Sequence, residues 1–136
     1  MITGMLVTAL QAACTPAEET VPGRWYTQTQ VERGRLIFAE QCARCHGENA
    51  EGTRNWREPD ATGNYPPPPL NGSAHAWHHP LPVLARVIEK GGIPLGGVMP
   101  SFSGTLDRDQ IRDTIAFFQD YWPDDIYARW AEVNRR

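Results

Sequence analysis

The sequence predicts an all-α fold of three to five short helices joined by long loops. Three observations point there. Glycine and proline number 12 each in 136 residues, about 18% against a usual level of about 12%. That composition breaks the chain into short elements. Apolar residues recur at helical spacing in several segments, and no segment alternates apolar and polar residues as a half-buried strand does. Apolar residues make up 40% of the chain and charged residues 21%, enough for one modest core.

The elements follow in order. Residues 1–13 carry no charged side chain and precede Cys14. They read as a leader, either an ordinary cleaved signal or one that ends in lipidation of Cys14, for which Ala12 and Ala13 are the small residues needed. About 13 residues of helix reach only about 20 Å, too short to cross a bilayer. Residues 14–29 are polar and linker-like. A first helix is expected over Gln30–Ala43, with Val31, Phe38 and Cys42 on its apolar side and Gly47 as the stop. Residues 48–80 are expected to be irregular, because Pro66–Pro69 exclude helix. A second helix is expected over Pro82–Lys90, with proline in its first turn and Gly91-Gly92 behind it. The stretch 91–104 is a Gly/Pro loop. A third helix is expected over Arg108–Tyr121, capped by Asp107 with Gln110 three residues on. Ile111, Ile115 and Phe118 place its core face. After Pro123 a short final helix is expected as a C-terminal extension over residues 124–136, with Ile126, Trp130 and Val133 lining one side.

Charge narrows the function classes. The net charge is −3, with one lysine (Lys90) against twelve arginines and no basic run. Nucleic acid is not an expected partner, because phosphate binding needs a cationic face.

The chemistry concentrates in Cys42-Ala43-Arg44-Cys45-His46. Two thiols at this spacing can add across the two vinyl groups of one haem, and the adjacent imidazole can reach the iron. Two other chemistries use the same spacing. A thioredoxin-like thiol pair needs a strand before it, whereas this motif follows a predicted helix. A zinc site could recruit His75 and His79, but the gap from Cys45 far exceeds the usual ~12–15 residues. Met99 favours haem. It is the only methionine outside the leader and stands in the Gly/Pro loop before Pro100. A thioether there can be the second axial ligand and raise the reduction potential. His75, His78 and His79 form either a polar loop or a further metal site, and a histidine in place of Met99 is the alternative sixth ligand.

Taken together these pieces resemble the class I c-type cytochromes, specifically bacterial mono-haem cytochromes. The resemblance covers about residues 30–123, the expected cytochrome domain. It consists of Gly34 and Phe38, CARCH at 42–46, PPL at 68–70, NGSAHAWHH at 71–79, MPSF at 99–102 and DTIAFFQDYWP at 113–123. The resemblance implies a fold wrapped around one covalent haem c, anchored by Cys42 and Cys45 and ligated by His46 and Met99. It implies that Gly34 lies where the first and third helices cross, against Phe117 or Phe118. The Pro68 carbonyl, or that of Pro69, would hold the other nitrogen of the His46 ring. Leu70, Leu84, Ile88 and Phe102 would wall the haem, and Trp77 would face either the haem or the core.

The implied function is one-electron transfer without bond making, so no enzyme activity is expected of the domain. The carrier would work in the periplasm or on the outer face of the cytoplasmic membrane, tethered there if Cys14 is lipidated. Its partners would be redox proteins of a respiratory or photosynthetic chain: an oxidase, reductase, dehydrogenase or reaction centre. A fixed haem c subunit of a membrane redox complex is the alternative, as is a haem enzyme or ligand-binding protein if Met99 is not an axial ligand. The acidic balance and scarce lysine argue against a cationic docking ring, leaving an apolar patch that includes Ile93 and Leu95.

Overall fold

The computed structural model describes residues 18–135; the leader and Cys14 lie outside them. Among the described residues there are five α-helices, two 3-10 turns and no strand, only two isolated bridges. The helices are α1 (Gln28–Gln41), α2 (Ala43–His46), α3 (Leu81–Lys90), α4 (Arg108–Asp120) and α5 (Asp124–Asn134).

Helix α1 begins two residues earlier than expected. Thr27 caps it: its hydroxyl accepts from the Gln30 N–H at 3.2 Å, while the Gln30 side chain accepts from the Thr27 N–H at 3.1 Å. It also ends earlier, because Cys42 at φ −118° breaks the run and α2 starts anew as one short turn. Helix α4 has the capping box expected at Asp107 and Gln110, with bonds of 2.8 and 2.9 Å. It ends at Asp120, one residue short of the expected end. Helix α3 opens at Leu81 behind Pro80.

The scaffold is the crossing of α1 on α4. A Cβ added at Gly34 would run into the backbone carbonyl of Asp113 and stand 3.0 Å from the Phe117 Cβ. Only glycine permits that approach. Phe38 then packs on Phe117 with ring centroids 5.0 Å apart. Beside them the buried Asp113 carboxylate accepts from Gln30 Nε2 at 3.1 Å and from Arg33 Nε at 2.6 Å. Phe38 and Ile115 are 1% and 0% exposed, each burial stabilising by roughly 1.5–3 kcal/mol.

The segment before α1 differs from the linker expected of it. Residues 20–27 form a turn closed by the Val21 N–H on the Tyr26 carbonyl at 2.8 Å. Tyr26 is fully buried, Trp25 Nε1 donates to the Gln119 side chain at 2.6 Å, and Arg24 lies over the Tyr127 ring at 4.0 Å. The cause is aromatic: Trp25 and Tyr26 bury more apolar surface than a free linker could spare. Helix α5 is drawn into the same layer. Trp130 Nε1 donates to the His79 carbonyl at 2.9 Å, and the Leu81 N–H donates to Asn134 at 2.9 Å. Trp122, just before α5, donates to the Leu70 carbonyl at 2.7 Å. Ile126 and Val133 are only half-buried; Tyr127 and Trp130 are the buried residues of this helix. The two long loops carry the 3-10 turns Ala76–His78 and Ile93–Leu95 that their Pro-rich sequence hides.

Candidate haem site

The site begins where α1 breaks. Cys45 and His46 donate their backbone N–H groups to the Cys42 carbonyl at 3.0 and 2.9 Å. One helical turn therefore carries both thiols and the imidazole. Cys42 and Cys45 are free thiols, the first buried and the second exposed. Burial, with the Cys45 thiol beside it, pushes the Cys42 thiol up to about 11.

His46 is 7% exposed. Its Nδ1 stands 2.9 Å from the Pro68 carbonyl. A carbonyl oxygen only accepts, so Nδ1 carries the proton and Nε2 presents its lone pair. Burial lowers the pKa of the ring, opposed by this hydrogen bond, so the imidazole is held in the neutral form a metal requires. Of the two prolines open to the sequence, Pro68 is the one whose carbonyl meets the ring; Pro69 is buried behind it.

Met99 is half-buried against the apolar cluster that contains Cys42, Leu84, Ile88 and Phe102, and Leu70 packs on the same cluster. Its strap is tied to the end of α3, where the last helical carbonyls lack intrahelical donors. Ser101 donates its hydroxyl to the Glu89 carbonyl at 2.6 Å, and Phe102 its N–H to that of Ile88 at 3.2 Å. The Met99 carbonyl accepts from Gly92 at 2.9 Å. Across the strap, Tyr65 donates its N–H to the Gly96 carbonyl at 3.0 Å.

The three remaining histidines go elsewhere. His75 stacks on Trp56 with centroids 4.8 Å apart, His79 meets His75 edge-on at 5.4 Å, and His78 packs on Trp77 at 3.8 Å. Burial lowers the pKa of His75 and His79. Among the described residues, no group of three His, Cys, Asp or Glu side chains is placed to hold a metal ion. Trp77 is half-buried, with the Arg129 guanidinium 5.9 Å from its ring centre.

These residues fit a covalently attached haem. Two free thiols flank one turn, a neutral imidazole offers Nε2, and a thioether sits on a tied strap among apolar side chains.

The comparisons with known proteins agree. The family profile of cytochrome c oxidase, cbb3-type, subunit III matches residues 29–118. The chain belongs to this family of c-type cytochromes. It is a mono-haem domain of the kind that binds haem c covalently. Among its relatives is a thiosulfate dehydrogenase of Stutzerimonas stutzeri (strain A1501), 34% identical over 92 residues, covering 60% of this chain and 28% of that protein. The CcoP subunit of the cbb3-type cytochrome c oxidase of Azospirillum brasilense is 33% identical, covering 64% of this chain and 27% of that subunit. The Rhodobacter capsulatus CcoP subunit is 31% identical, covering 64% and 25%. The chain thus matches about a quarter of the length of these relatives. No solved structure matches it.

Several residues that shape the c-type centre escape sequence reading. Ser101 reads as a loop serine, yet it ties the Met99 strap. Gly52 and Ala50 read as loop residues, yet they pack on and bond to the Pro68 segment. No local signal marks Gly52 and Ala50, because the partners they meet at the Pro68 segment lie 16 to 21 positions further along the chain.

Proposed function

We propose that this domain passes single electrons between extracytoplasmic redox proteins, with Cys42 and Cys45 as the covalent anchors and His46 and Met99 as the axial ligands. The observation that carries the reading is His46 with Nδ1 bonded to the Pro68 carbonyl on the same turn as two free thiols. When bound, haem supplies an iron that gains and loses one electron. The protein's part is to hold that centre still. His46 is oriented by the Pro68 carbonyl, and Met99 is held by the Gly92 and Ser101 bonds along its strap. Leu70, Leu84, Ile88 and Phe102 keep water away and hold the local dielectric low. With His46 and Met99 both holding the iron, it would be closed to substrate, and the domain would do no chemistry of its own.

The CcoP relatives favour a membrane-held oxidase as partner, with this chain as its electron-carrying part. The thiosulfate dehydrogenase relative supports a second reading, a carrier domain serving a dehydrogenase. On either reading the chain would work outside the cytoplasm, where haem c is attached. No helix among the described residues is long and apolar enough to cross a membrane. A lipid on Cys14 would supply part of an anchor, since a single chain binds only marginally.

Docking would use the neutral face beside the Met99 strap. Ile93, Leu95, Val98 and Tyr65 are 66%, 72%, 49% and 48% exposed, and segments 61–74 and 91–106 contain no charged side chain. Electron transfer to a membrane-held cbb3-type oxidase, followed by stopped-flow absorbance, is expected to vary little with salt. Leu95→Glu should slow it about tenfold, equivalent to ~1.4 kcal/mol of lost encounter stability. A steep salt dependence, or an unchanged rate in Leu95→Glu, would remove this face from the account.

A further inference from the structure

The run Pro66–Pro69 has no backbone N–H to donate, so its own donors cannot fix where the Pro68 carbonyl points. The turn that follows His46 fixes it instead. Gly52 donates its N–H to the His46 carbonyl at 2.7 Å. Thr53 then donates to the Pro67 carbonyl at 2.9 Å, and the Ala50 carbonyl accepts from Leu70 at 2.8 Å and from Asn71 at 3.2 Å. Pro68 is held between these ties. Gly52 packs against the Pro68–Pro69 peptide group, at φ +59°, and a Cβ there would collide with that peptide. Ala50, fully buried at φ +56°, is the only non-glycine residue in the left-handed region among the described residues, a conformation kept only where its surroundings impose it. Residues 46–53 and 67–71 thus close a ring: His46 leads into the turn, the turn sets Pro68, and Pro68 holds His46.

We infer that Gly52 is a positioning residue for the proximal imidazole, and that the Gly47–Thr53 turn sets the reduction potential through the Pro68 carbonyl. The inference rests on the reading of His46 as an iron ligand. A hydrogen bond from Nδ1–H to a carbonyl makes the ring a more basic ligand. A more basic ligand favours ferric iron and lowers the potential. Displacing the Pro68 carbonyl weakens the bond, which depends steeply on distance and angle, so the potential must rise.

The test uses haem-loaded protein with two readouts: the midpoint potential, and the exchange rate of the His46 Nδ1 proton followed by 15N NMR in the reduced state. Gly52→Ala is expected to raise the potential and to speed exchange about tenfold, the loss of one hydrogen bond. Gly63→Ala is the control. Gly63 has the same left-handed backbone, φ +83°, with open space where a Cβ would go, so the substitution adds backbone strain without touching Pro68 and should leave both readouts unchanged. Ala50→Gly relaxes the turn without adding bulk and should move both readouts in the Gly52→Ala direction by less. It decides alone if Gly52→Ala yields no holoprotein. Wild-type values in Ala50→Gly and in any Gly52→Ala holoprotein overturn the inference, as does a Gly63→Ala shift of equal size. If the His46 ring resonances of the wild type lack the large ring-current shifts of a haem ligand, the ligand reading itself falls, and the inference with it.

Discussion

Met99→Ala is expected to keep its haem and to lose potential. On the proposed anchoring, the thioether bonds would run to Cys42 and Cys45 and not involve Met99, so haem content per polypeptide should match the wild type. The potential should fall by roughly 0.1–0.3 V, a fraction of the about 0.8 V that axial ligands span. The sign follows from ligand softness: a thioether favours ferrous iron, and removing it favours ferric. The oxidised protein should also lose the weak absorption near the red end of the spectrum that marks sulfur on iron. The strap itself should survive, because its ties run through the Ser101 hydroxyl and the Gly92 and Phe102 N–H groups rather than through the Met99 side chain. A potentiometric titration followed by absorbance measures both effects. An unchanged potential would remove Met99 from the ligand set and turn attention to a histidine.

Gly34→Ala is expected to be the most destabilising single substitution away from the haem site. Its methyl group would occupy the position of the Asp113 carbonyl, so α1 and α4 must move apart. That movement loosens the Phe38–Phe117 contact and the bonds of Asp113 to Gln30 and Arg33. Overpacking of this kind costs about 1–3 kcal/mol. A collision with backbone, which cannot rotate away as a side chain does, belongs at the upper end. The expected loss is about 3 kcal/mol, read as a lower guanidinium midpoint of the haem-loaded protein with an unchanged slope. The potential of the surviving folded protein should stay near that of the wild type, since the crossing positions the site without touching it. A stability within about 0.5 kcal/mol of wild type would contradict the close crossing.

The parts of this protein that could be read from sequence are those whose partners are near in the chain. Asp107 and Gln110 announce the start of α4 three residues apart, and Pro82 with Gly91 brackets α3. The C-x-x-C-H motif is legible because its spacing is itself the chemistry: both thiols and the imidazole must share one turn. Long-range partnerships were opaque. Trp25 finds Gln119, and Trp122 finds the Leu70 carbonyl; nothing beside Trp25 or Trp122 in the chain signals either partner. The segment before α1 therefore read as linker although Tyr26 is fully buried. The four consecutive prolines left the choice between Pro68 and Pro69 open, since identical neighbours carry no register. That choice is made by the ties to Thr53 and Ala50. The exposed row at Ile93 and Leu95 was visible as apolar residues in a loop, but the Tyr65 bond that joins two uncharged segments into one face was not.

The central claim is that one haem is bonded to this chain through Cys42 and Cys45. The most direct test is the intact mass of the protein purified after co-expression with a cytochrome c maturation system, measured under denaturing conditions. The expected mass is that of the polypeptide plus one haem, and the addition should persist through acid extraction and disappear in a Cys42→Ala, Cys45→Ala double variant. A colourless protein of polypeptide mass alone would contradict the account.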